Sequence, residues 1–443
     1  MDAILVKGGR VIDPASGFDG EADVVVLGGR IAAVGKFGEQ DVRGQYRSLD
    51  HLQIVDARHL VVCPGLVDLR CHVGEPGKDS EETVAHAAEV AIHGGFTTVA
   101  AMPDTDPALD TVASALLVRR QSEQAGFADV HPVCALTRNR AGEELAEVGQ
   151  LVEAGAVAFS DEQRAVDAPA TLLRAMAYVS MFDRAVIEFS QDPALSGGAM
   201  NAGYEAMLAG LPGIPSVAEE LAVARACMFA RETGCHYHAA LLTTRNGVRA
   251  VKRAQRLGVR VTAEAGALHL AFTDAEVRKA YDTNFKLFPP LRTRDDVEWL
   301  KRGLREGVIT CISSSHRGVA PQDKELEFGT APFGAVSLET TLGVVLTHLV
   351  RTGDLSLVDA IGRLTIHPAR VLRLDSRKGA IQPGHDGDLC LFDPLDEWEV
   401  TPAALTSFKK NTPLLGQRLK GRARQVVTRG RVFDLRALAA AAK

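Results

Sequence analysis

No C-x-x-C pair occurs in this sequence, and its cysteines, Cys63, Cys71, Cys134, Cys227, Cys235, Cys311 and Cys390, are scattered singly over 443 residues. That spacing excludes a disulfide framework and the common paired-cysteine zinc motifs, and it is the usage expected of reduced thiols in the cytoplasm. Excess positive charge is missing too: 50 basic residues against 56 acidic ones leave a net charge of -6. Without a basic field nothing holds a nucleic-acid backbone or an anionic membrane surface, so neither partner is expected. No apolar run reaches the ~20 residues a bilayer requires, and Met1-Asp2-Ala3-Ile4-Leu5-Val6 lacks a basic stretch ahead of an apolar signal core. A G-x-S-x-G nucleophile elbow is absent. Ser313-Ser314-Ser315-His316 places serines beside a histidine, but adjacency along a chain does not supply triad geometry.

What is present is length and alternation. At 443 residues the chain exceeds the roughly 250 to 300 at which single domains stop growing, so one barrel-sized unit with a smaller companion is expected. Residues 1–60 carry short apolar stretches broken by glycine, such as Asp23-Val24-Val25-Val26-Leu27, Gly28-Gly29 and Arg30-Ile31-Ala32-Ala33-Val34. Residues 376–443 repeat that character after Pro383-Gly384, and the two ends are expected to pair into a small β-sandwich. The alanine-rich stretch from Leu435 to Lys443 reads as a helical turn or a tail. Between them, over 61–375, short apolar runs alternate with helix-period segments, the βαβα pattern of a parallel sheet. The strand stretches are Val61 to Leu69, Phe96 to Ala101, Asp129 to Leu136, Ala156 to Ser160, Ala185 to Phe189, Cys235 to Leu241, Arg260 to Ala263 and Val308 to Ser313. They make an α/β fold, a (β/α)8 TIM barrel with its site at the carboxyl ends of the strands. Helices are expected from Glu81 to Ile92, stopping at Gly94-Gly95, and from Ser216 to Thr233, with Ser216 as N-cap and Gly234 as stop.

The strand ends carry a specific pattern. Val67-Asp68-Leu69-Arg70-Cys71-His72-Val73-Gly74-Glu75-Pro76-Gly77 resembles the first-strand motif of dihydroorotases, D-x-H-x-H-x-R-x-P-G. Gly94-Gly95-Phe96-Thr97-Thr98-Val99 with Met102-Pro103-Asp104-Thr105 resembles the family's second-strand block, and Gly155-Ala156-Val157-Ala158-Phe159-Ser160-Asp161 the fourth. Gly197-Gly198-Ala199-Met200-Asn201, Pro289-Pro290-Leu291-Arg292, Glu327-Phe328-Gly329-Thr330-Ala331-Pro332-Phe333-Gly334 and Lys410-Asn411-Thr412-Pro413-Leu414-Leu415-Gly416 continue the series in order.

The resemblance implies a metal-dependent hydrolase barrel that binds one or two zinc ions and opens or forms the cyclic amide of dihydroorotate. That chemistry needs imidazole and carboxylate ligands converging on one point, to acidify a water and polarise the amide. In this chain the first histidine of the strand-one pair is Arg70 and the second is His72. The fourth-strand acid is kept as Asp161, the fifth-strand histidine falls on Phe189, the sixth-strand histidine on Leu241, and the eighth-strand catalytic aspartate on Ser315. Only His72 and Asp161 keep a ligand type, and both read as vestigial. The family's carboxylate-binding arginine falls on Gly74 and its two substrate-binding asparagines on Asp104 and Phe288, so an acid stands where a carboxylate would be held.

Leucine and phenylalanine cannot coordinate zinc, and two protein ligands fall short of the usual three. A guanidinium about 4 Å from a divalent ion opposes it by roughly 8 kcal/mol at an effective dielectric of about 20. Arg70 is therefore expected to pair with Asp161, with Asp104 as a further partner, in the metal's place. No metal, cofactor, catalytic or substrate-binding residue is expected. A zinc site rebuilt from Cys71, His72 and Cys311 is opposed by strand geometry, since neighbours on a strand point to opposite faces. His236, His238, His269 and His316 read as structural.

A barrel that keeps its loops without its chemistry is expected to serve as a binding surface. The sequence resembles the non-catalytic dihydroorotase-like chains that accompany aspartate carbamoyltransferase. That resemblance implies a catalytically inactive scaffold in pyrimidine biosynthesis, partnered by the transferase catalytic chain and self-associating as a homo-oligomer. The alternative is a divergent dihydroorotase, or another cyclic amidohydrolase, with a rearranged zinc site. A third reading is a sensor that binds a pyrimidine intermediate without converting it.

Overall fold

The computed structural model describes residues 2–46 and 49–441. The valine-rich amino-terminal stretches form antiparallel strands, Asp2–Asp13, Phe18–Leu27 and Arg30–Gly35. Gly28 and Gly29 turn the second into the third with φ of 55 and 78°, the left-handed pair that a two-residue hairpin demands. His51–Asp56 adds in parallel to the first strand. The carboxyl end supplies Leu389–Glu399, Arg418–Thr428 and Arg431–Asp434, so that both ends of the chain meet in one eight-stranded sheet.

The expected single run from Val61 to Leu69 is two strands. Val61–Pro64 belongs to the end sheet, between Arg10–Val11 and Leu389–Phe392, and only after Gly65 does the chain enter the barrel as Leu66–Cys71. Every residue of both strands is buried, so no change of periodicity marks the crossing.

The barrel has eight parallel strands in chain order, Leu66–Cys71, Phe96–Ala101, Asp129–Cys134, Ala158–Phe159, Ala185–Phe189, His236–Ala240, Val261–Gly266 and Cys311–Ser313. A parallel bridge between Cys71 and His316 links the last to the first. The seventh strand runs to Gly266, past the expected Ala263, and so takes in Glu264. Val67, Leu69, Ala100, Val133, Ala158, Ile187, Ala240 and Cys311 share the inner core, whereas Cys71 packs with Val84 and Ala87 in the larger outer layer. Cys71 and Cys311 thus face different layers, and the pair cannot share a zinc ion.

Helices begin where a side chain can hold their free amides. Val84–His93 starts later than expected, because the Thr83 hydroxyl accepts the His86 N–H at 3.1 Å, and it stops at Gly94 as expected. Val217–Thr233 ends at Gly234 with φ 69°, but Ser216 makes no side-chain cap bond. Gly95, at φ 87°, lies where the second barrel strand meets the end sheet, and a Cβ there would come within 2.6 Å of Cys390 Sγ. The alanine-rich terminus is helical over Leu435–Ala441, and its last two residues lie outside the described ones. Among the described residues, no helix is long and apolar enough to cross a membrane.

Candidate active site

Arg70 sits near the carboxyl end of the first barrel strand, fully buried. Its Nε donates to Glu264 Oε1 on the seventh strand at 2.9 Å, and its Nη1 donates to Glu162 Oε2 just beyond the fourth. Burial alone would raise Glu264, but Arg70 and then His238 outweigh it and hold the carboxyl at about 2. Burial would likewise lower the guanidinium, and Glu162 and Glu264 together raise it. His72 Nδ1 lies 3.0 and 2.9 Å from the two Asp104 oxygens, and its Nε2 lies 3.4 Å from Glu162 Oε1. Arg317 reaches Asp104 at 3.5 Å, and His238 Nε2 stands 3.6 Å from Glu264 Oε2. Burial pushes Asp104 up, but His72, Arg317 and Arg140 overcome it and keep that carboxyl well below the carboxylate range. Across the mouth runs a chain of basic and acidic groups in alternation: Arg317, Asp104, His72, Glu162, Arg70, Glu264, His238.

The expected partner of Arg70 is elsewhere. Asp161 accepts the Leu136 N–H at 2.8 Å, the Thr137 N–H at 3.0 Å and the Thr137 hydroxyl, so it ties down the loop after the third strand. Burial raises its pKa, with the Thr137 hydrogen bonds pulling the other way. Its neighbour Glu162, at φ 52°, faces the barrel in its place. Asp104, the second expected partner, holds His72 and Arg317 instead.

At Phe189, Leu241 and Phe288, further positions marked by the resemblance, hydrocarbon fills the space. The Phe189 ring packs 4.8 Å from Phe288, which packs 5.0 Å from Phe333. Leu241 is buried at φ 46°, and Ser315 sits at φ 53°. With Glu162 these are non-glycine residues in left-handed backbone at strand ends, a strain that persists only where surrounding structure enforces it. A Cβ on Gly74 would lie 2.0 Å from the Lys78 carbonyl oxygen, so the backbone there leaves no room for a side chain.

The serines and histidines do not form a triad. Ser314 Oγ donates to Asp68 Oδ2 at 2.7 Å, an acid that burial pushes up to about 7. His316 Nδ1 accepts the Ser337 and Leu338 N–H groups at 3.1 and 3.3 Å. His236 and His238 both meet Thr262 Oγ1 at 2.8 Å, and His269 Nε2 meets the Pro289 carbonyl at 2.8 Å. A cavity of about 10 Å³ opens between His72, Gln163, His269, Phe288, Ser315 and Arg317, the room of a single water.

Zinc needs three or more protein donors around one point. Among the described residues, the set of acidic, cysteine or histidine donors that converges in this way is Asp129, Asp386 and Asp388, at the opposite end of the barrel. At the mouth a guanidinium occupies the centre, between the carboxylates that a cation would attract. These residues do not fit the zinc centre that the resemblance implies. Sequence reasoning found Arg70, His72 and Asp104 but missed Glu162 and Glu264. The available signal was that a buried arginine requires compensating acids, with Glu162 directly after Asp161 and Glu264 directly after the seventh-strand stretch.

Residues 59–247 match the family described as "Dihydro-orotase-like". A protein of Pelotomaculum thermopropionicum named "Dihydroorotase" is 40% identical over 430 residues, 97% of this chain and 98% of that one. One of Anaeromyxobacter sp. (strain K) with the same name is 41% identical over 435 residues, again 97% and 98% of the two chains. Among solved structures, the L-hydantoinase (dihydropyrimidinase) from Arthrobacter aurescens superposes with a TM-score of 0.84 at 25% identity, over 97% of this chain and 95% of the other. These findings overturn the expectation of a catalytically inactive scaffold for aspartate carbamoyltransferase, because full-length relatives carry an enzyme's name. Counting missing imidazoles did not establish inactivity. By sequence along nearly its whole length, this chain belongs to the dihydroorotase family.

Proposed function

We propose that this chain is a divergent dihydroorotase, a hydrolase that opens or closes a cyclic amide at the mouth of its barrel with a rearranged set of groups. The observation that carries the reading is identity of 40% along 97% of the chain with a protein named dihydroorotase. Hydrolysis of a cyclic amide adds water across the ring C–N bond: a base removes a proton from the water, the carbonyl oxygen gains charge, and the ring nitrogen receives a proton. His72, with Nδ1 held by Asp104, is the imidazole placed for proton exchange through Nε2. Arg317 lines the same cavity and supplies a cation for a substrate carboxylate, the role for which Gly74 has no side chain. A six-membered ring exceeds the present cavity, so binding requires Phe288 and Arg317 to swing aside. The cysteines are all free and buried, in keeping with a reducing cytoplasm.

The test is interconversion of dihydroorotate and carbamoyl aspartate by the purified full chain, followed in both directions. Turnover that falls by about 100-fold in His72→Ala supports the reading, that being the usual scale of one acid–base group. No turnover in either direction, together with no thermal shift from either compound, would reject it.

A further inference from the structure

We propose that Arg70 is a built-in cation occupying the place of a divalent ion, so that the barrel mouth of this chain assembles without metal. The inference concerns the same site as the proposed reaction but does not depend on turnover. Its basis is the two-sided geometry of one side chain. Nε engages Glu264, 194 residues away in sequence, and Nη1 engages Glu162, 92 residues away, so a single guanidinium ties the first strand to the fourth and seventh across the barrel. A metal ion would tie acids from several strands together in the same manner. All three side chains are fully buried, which removes the solvent screening that makes surface pairs weak.

The surroundings exclude both cations being present together. A dication beside a buried guanidinium is strongly repelled, and the carboxylates that would hold it are already engaged. Phe189 and Leu241 offer no lone pairs, and Phe189 packs at a tilt against Phe288. His72 and His238, the nearest imidazoles, lie against the outer oxygens of Glu162 and Glu264 at 3.4 and 3.6 Å. Arginine suits this position better than lysine, because its planar fork meets two acceptors in fixed directions.

The experiment is metal analysis and thermal unfolding of the full chain, purified from zinc-supplemented medium, with no addition, with EDTA and with excess zinc chloride. The wild type is expected to carry no stoichiometric zinc and to unfold at the same temperature in all three conditions. Arg70→Met leaves two buried carboxylates without their guanidinium partner, and should lower Tm by roughly 5–10 °C or prevent folding. The triple variant Arg70→Met/Glu162→Gln/Glu264→Gln carries no unpaired charge and should fold with most of that loss restored. Wild-type protein holding about one zinc per chain and losing Tm on chelation would overturn the proposal. So would an Arg70→Met protein as stable as wild type, or a triple variant no more stable than Arg70→Met.

Discussion

Each end of the barrel buries a cation among carboxylates, and the two ends treat it differently. At the base, Lys378 Nζ meets Asp129 at 2.5 Å, Asp388 at 2.6 Å and Asp386 at 3.0 Å, while Arg429 also reaches Asp129 and Arg377 reaches Asp386 at 2.9 Å. Three positive and three negative groups balance, and the cluster pins the third barrel strand to the end sheet. Lys378 stands among the same three acids that converge as metal donors, so an ammonium fills that place. At the mouth, Arg70 faces two acids, and Arg70 Nη2, Glu162 Oε1, Glu264 Oε2 and His238 Nε2 lack a hydrogen-bond partner. At the base the ammonium itself meets three acids, although Arg429 Nε beside it also lacks a hydrogen-bond partner. Incomplete satisfaction at the mouth, beside left-handed Glu162, Leu241 and Ser315, is where a barrel of this kind does its chemistry.

The contrast can be broken by measurement, most forcefully at the base. Lys378→Met should cost about 5 kcal/mol in urea unfolding, the upper range for removing one partner of a buried ion cluster. A loss under about 1 kcal/mol would show that the acids relax into solvent and that the clamp is an ordinary surface network. The next effect belongs to the mouth and is read by pH. Glu264 is depressed from its ordinary 4.5 to about 2, so its stabilisation is complete above pH 4.5 and lost as pH falls toward 2. By linkage this amounts to about 3 kcal/mol. Glu264→Gln should flatten the fall of the urea midpoint between pH 5 and 3 relative to wild type, and an unchanged slope would deny the Arg70 pairing. Asp129, depressed from 3.8 to about 2, gives the base a smaller loss over the lower part of the same window.

Smaller effects sharpen the assignment of each acid. Asp161→Ala should destabilise by about 1–2 kcal/mol, the cost of orphaning the Leu136 and Thr137 amides. A value of about 3–5 kcal/mol would restore it as an ion-pair partner. Arg317→Ala, at the partly exposed rim, should alter stability by no more than about 0.5 kcal/mol. The same variant should raise KM for dihydroorotate about tenfold without moving kcat, and an unchanged KM would remove Arg317 from substrate binding.

Much of the fold was legible in alternating runs of apolar residues, because a strand buried on both faces and the helix that follows it differ in length and in glycine punctuation. Val61 to Leu69 was misread as one strand since burial on both sides of Gly65 leaves no seam. Ser216 stands at the N-cap position as expected but makes no cap bond, because a capping side chain needs its own backbone extended and Ser216 is already helical. At the site, Arg70 and His72 were visible from their motif. The partner of Arg70 was not, because the left-handed turn at Glu162 hands the inward direction from Asp161 to its neighbour.

Composition and side-chain chemistry settled some matters before any folding: the charge balance, the absence of paired cysteines, and the incapacity of Phe189 and Leu241 to bind zinc. These hold wherever the residues lie, because they are properties of the groups themselves. Which acids answer Arg70, and which acids Lys378 draws together at the far end, was decided by the closed barrel alone. Those partners lie 92 and 194 residues from Arg70 along the chain, and only the ring of parallel strands brings them within hydrogen-bonding reach.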